Sequence, residues 1–139
     1  MSQLANPERL DALAATGLLD SPPEADFDRI TRLIRGFLRV DISLISLVDD
    51  KRQFFKSSAG LVEKVGHCTG TPLTHSFCQH VVTSEQALVV ADARTHDRLK
   101  DNLAVRDLNV ISQMSQALSF TLAYDDLLDE LGITIGANA

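Results

Sequence analysis

The densest chemistry in this chain lies between His67 and His80, where His67, Cys68, His75, Cys78 and His80 put borderline and soft metal ligands close together. Zinc or iron is the chemistry such donors offer if the chain folds around them. The spacing matches no standard zinc pattern, however, and on a short helix Cys78 and His80, two positions apart, do not share a face. The expectation is therefore no metal, with a buried Cys78 and histidines on a loop surface. Cys68 follows His67 in a glycine-flanked stretch, and a neighbouring imidazolium lowers a thiol pKa and favours redox chemistry. Spacing alone does not make a catalytic Cys-His pair.

The elements that position these residues follow from periodicity. Asn6 before Pro7, Glu8 and Arg9 reads as an N-cap, a first-turn proline and an acidic first turn, so a short helix runs to Gly17. Ser21-Pro22-Pro23 breaks the chain. Phe27, Ile30, Leu33, Ile34, Phe37 and Leu38 then recur at helical spacing, with Arg29, Arg32, Arg35 and Arg39 mostly opposite. Residues 42–48 form a β-type apolar run, and Asp49-Asp50-Lys51 turns the chain into Arg52–Ser57, an antiparallel hairpin.

Gly60 to Leu73 shows no lasting period and reads as a long loop of the kind that carries function. Thr74 or Ser76 caps a short helix through Val82, Ala87–Ala91 is a third strand, and 97–107 is a loop with helical turns. From Ser112, the residues Ala117, Phe120, Tyr124, Leu127, Leu128 and Leu131 predict a C-terminal helix stopped by Gly132, with Ile133–Ile135 as a short strand or tail.

The chain has 139 residues, 45% of them apolar and 23% charged, which suits one folded domain. A net charge of -6 and a pI near 5.0 offer no basic surface for phosphates, so nucleic acid is not an expected partner. Two cysteines, no basic leader and no long apolar run predict free thiols in a cytoplasmic protein without membrane insertion.

Several segments resemble the GAF domains placed ahead of bacterial histidine kinases, cyclic-di-GMP enzymes and PP2C-type phosphatases. Glu8-Arg9-Leu10, Thr16–Pro23 and Phe27-Asp28 resemble the leading helices, and Asp41–Asp49 with Arg52–Lys56 the first hairpin. Most specific are Thr74–Val82, Leu88–Arg94 and Asp101–Val105, in order and at family spacing.

The resemblance covers Pro7 to Val110 and implies an α+β fold, a GAF-like antiparallel sheet flanked by helices. The family's later strands, a Tyr-Ala-Gly-x-Pro-Leu run and a Gly-x-Leu-Cys-x-Ile-Asp run, have no counterpart here, so the last strands are missing or rearranged. Residues 1–110 are then a GAF-like core with two leading helices, and 111–139 a divergent C-terminal helix and tail of the same domain. The resemblance further implies a non-catalytic bacterial sensory module that binds a small ligand and relays it through terminal helices. Phe54, Phe55, Ser76, Phe77, Cys78, Asp92 and Asn102 are its ligand-binding candidates, with no cofactor identified. A homodimer or a partner signalling protein is expected, and the alternatives are a ligand-free dimerisation or interaction module and a Cys/His metal or redox sensor. GAF-fold methionine sulfoxide reductases use cysteines, but more of them than this chain has at matching positions.

Overall fold

A computed structural model describes residues 2–107 and 117–119. A 3-10 turn at Gln3–Ala5 precedes α1 (Pro7–Ala15) and α2 (Ala25–Leu38). The Asn6 side chain caps α1 by accepting from the Glu8 amide at 3.0 Å, as its sequence predicts. Strands β1 (Ser43–Val48) and β2 (Arg52–Ala59) form the expected antiparallel hairpin, closed by Asp49, whose carboxylate accepts from the Lys51 and Arg52 amides.

The stretch read as a long loop is more ordered than its sequence suggests. It holds a short helix, α3 (Leu61–Val65), and a third strand, β3 (Gly70–Pro72), which pairs antiparallel with β2. Three residues that include a proline carry no strand signal of their own; the pairing with β2 creates the strand. After α4 (Cys78–Ser84) come β4 (Leu88–Val90) and α5 (Leu103–Asp107).

Ala117–Ser119, assigned from sequence to the start of a C-terminal helix, form instead a strand, β5, antiparallel to β4. Tertiary pairing overrides a helical spacing there. The remainder of that predicted helix, and the possible strand at Ile133–Ile135, lie outside the described residues. The described strands thus make two antiparallel sheets, β1-β2-β3 and β4-β5, with helices packed against them, a mixed α+β architecture.

The two faces of the β1–β2 hairpin do different work. Residues opposite each other share a face, which groups Ile45 and Leu47 with Ser57 and Phe54 toward α2, and Val48 and Ser46 with Gln53 and Phe55 on the other side. The register slips between Ile45 and Ser46, leaving Lys56 unopposed in a β-bulge. Against α2 the packing is laced with polar contacts: Thr31 is wholly buried, and its hydroxyl lies 2.9 Å from that of Ser57, which donates to Asp28 at 2.6 Å. A second core lies further along the chain, where Val90, Ala93, Leu99 and Val105 pack with Phe77 and Leu88.

Three cations bind the N-terminal segment to the hairpin. Arg9 donates to the Val48 carbonyl at 2.6 Å and to the carbonyls of Gln3 and Leu4. Arg52 grips the Asp20 carboxylate with two bonds of 2.8 and 2.7 Å. The ammonium of Lys56, its side chain fully buried, pairs with Glu24, donates to Ser21 at 2.6 Å and to the Pro22 carbonyl at 2.8 Å, and lies over the Phe27 ring.

Candidate functional site

Ser76 and Asn102, two of the ligand-binding candidates, meet in one buried hydrogen-bonded cluster on the hairpin face opposite α2. Gln53 on β2 is its hub. Its amide nitrogen donates to Thr71 of β3 at 2.7 Å, and its oxygen accepts from the hydroxyl of fully buried Ser76 at 2.9 Å. The Ser76 hydroxyl in turn accepts from the Gln79 amide at 3.2 Å, capping the first turn of α4 as the sequence suggests; Thr74, the other capping candidate, instead lies 3.0 Å from the His75 ring nitrogen Nδ1.

Asn102 donates to the Ser76 carbonyl at 3.0 Å and accepts from the Ala104 amide at 2.9 Å, which ties α5 to α4. The Gln79 side chain adds bonds to the carbonyls of Ser76 and Leu73. Three stretches distant in sequence, around Gln53, Thr71–Gln79 and Asn102, are joined by polar side chains that satisfy one another.

The other candidates spread out. Phe54 is buried on the α2 face and Phe55 half-buried on the opposite one, so the two adjacent rings do not line one wall. Phe77 packs into the second core. Cys78 opens α4 and is half-buried, while Asp92 holds Arg94 with bonds of 3.0 and 2.9 Å at the end of β4. Arg94 holds the Asp92 carboxyl below the usual carboxylate range, chiefly through the side-chain hydrogen bond.

The Cys/His group does not assemble as a centre. Among the described residues no three His, Cys, Asp or Glu side chains gather in a way that would hold a metal ion. Cys68 and Cys78 are not joined in a disulfide, and the Cys68 thiol donates to the Gly70 carbonyl at 3.1 Å. His80 is distinct in its electrostatics. Burial pushes its imidazole pKa down, and the positive charges of Arg98 and His96 push it further.

A base whose pKa falls on folding favours the neutral form in the native state, so its contribution is complete above the ordinary value near 6.5 and is lost as pH drops through that value toward the folded one. Urea unfolding at pH 7.5 and 5.5 should therefore show a loss of stability in acid that is smaller in His80→Gln; equal losses would remove this assignment.

Gln53 has no sequence signal as a hub, being one polar residue before two phenylalanines. Gln53→Leu would strip the hydrogen-bond partner from the Thr71 and Ser76 hydroxyls, and an expected cost of about 2 kcal/mol follows from leaving buried polar groups unpaired. Chemical denaturation measures it, with Thr71→Val/Gln53→Leu recovering part of the loss.

An open groove of about 300 Å³ runs along α2, lined by Asp28, Arg32, Arg35, Ser58, Gly60 and Glu63, on the face away from the buried cluster. Gly60 has a left-handed backbone, φ +86°, and approaches the Asp41 carbonyl so closely that a Cβ there would fall inside contact distance. The Arg35 guanidinium lies 3.0 Å from where that Cβ would stand. Arg32 and Arg35 have no ion-pair partner among the described residues, while Asp28 and Glu63 balance their charge across the groove.

In a comparison with known families, the GAF domain model matches residues 22–122, a stretch that holds α2, the hairpin and the cluster joining Ser76 to Asn102. The chain belongs to the GAF domain family. The matched stretch continues past Val110, where the motifs readable in the sequence end, and takes in β5. A cyclic di-GMP phosphodiesterase of Pseudomonas aeruginosa is 33% identical over 86 residues, which cover 62% of this chain but only 14% of that protein. As a GAF domain similar to part of a signalling protein, this chain is a module of the sensory and regulatory class. No described helix is long and apolar enough to cross a membrane.

Proposed function

We propose that this GAF domain is a non-catalytic regulatory module that acts through contacts with other protein segments, in bacterial signalling that governs cyclic di-GMP turnover. One observation carries the reading: Ser76 and Asn102, two ligand-binding candidates that the fold brings together, spend their side-chain polar atoms on Gln53, the Ser76 carbonyl and two backbone amides. A site already satisfied from within has little left to offer a polar ligand. The similarity to a cyclic di-GMP phosphodiesterase supports the signalling context. In this reading the cluster fixes α4 and α5 to the sheet, so that a shift of the terminal helices is felt across the domain.

Native mass spectrometry of gently purified protein, alongside incubation with cyclic di-GMP, tests the proposal. The expected result is the mass of the polypeptide alone and no hydrolysis. A discrete organic adduct, or turnover of the dinucleotide, would overturn it.

The second reading, a small-ligand sensor, has one observation in its favour. The Ser46 hydroxyl is buried without a hydrogen-bond partner in the described structure, on the hairpin face that carries Phe55. A ligand held against that face would meet Phe55 and Ser46, and would give the adduct that the first reading excludes.

A further inference from the structure

We draw no further inference here: the strongest candidate, the open groove between α2 and α3 lined by Asp28, Arg32, Arg35, Ser58 and Glu63, balances its own cations with carboxylates, and nothing in the structure shows what occupies it.

Discussion

Gly60→Ala is expected to cost about 3 kcal/mol or more of folding stability, because two penalties coincide at one residue. The first is conformational: φ is +86°, where a side chain strains the backbone by about 1–2 kcal/mol. The second is steric, since the new methyl would press on the Asp41 carbonyl and the Arg35 guanidinium. Backbone cannot yield as a side-chain tip can, so the junction of β2, α3 and the start of β1 must move. Gly17 separates the two effects. It also has positive φ, +66°, but nothing within 4 Å of its would-be Cβ, so Gly17→Ala should cost only about 1 kcal/mol. Urea denaturation of both variants gives the comparison, and a Gly60→Ala midpoint no lower than that of Gly17→Ala would refute the close approach.

Lys56→Ala should be nearly as damaging, at about 3 kcal/mol. The substitution removes a buried aliphatic stem from beside Phe27, takes the donor away from Ser21 and the Pro22 carbonyl, and leaves Glu24 without its cation. Glu24 is half exposed and can return to water, which keeps the loss below that of a pair buried on both sides. Lys56→Met retains the stem and should recover about half of the loss. Thermal unfolding measures both. If methionine proves as costly as alanine, the polar bonds carry the contribution and the stem very little.

Elements whose information is local were legible in the sequence. The first-turn proline and Asn6 mark α1, the spacing of Phe27, Ile30 and Ile34 marks α2, and the turn at Asp49 marks the hairpin. What escaped is long-range. β3 and β5 exist because β2 and β4 supply their hydrogen bonds, and nothing in Gly70-Thr71-Pro72 or Ala117-Leu118-Ser119 announces a partner. The bulge at Lys56 shifts the hairpin's alternation, and a six-residue reading of β2 ending at Ser57 gives no hint of it.

At the candidate site, resemblance to GAF domains drew attention to Ser76 and Asn102, but not to Gln53, whose role depends on Thr71 and Ser76 arriving from elsewhere in the chain. Among the described residues, the clustering of His67, Cys68, His75, Cys78 and His80 in sequence does not become a group of three donors that could hold a metal ion; the chain spreads them over the stretch before β3, a 3-10 turn and α4.

The N-terminal attachment has a mechanical meaning. Arg9, Arg52 and Lys56 fasten the segment at three successive stations, Val48 at the end of β1, Asp20, and the Ser21–Glu24 stretch. Tension along that segment would not peel it from a greasy surface. It would open the exposed Gln3–Glu85 bond and then the stations one after another, Arg9 before the sheltered ammonium of Lys56, so that the strap behaves as a graded tether whose slack is set by the number of stations still closed.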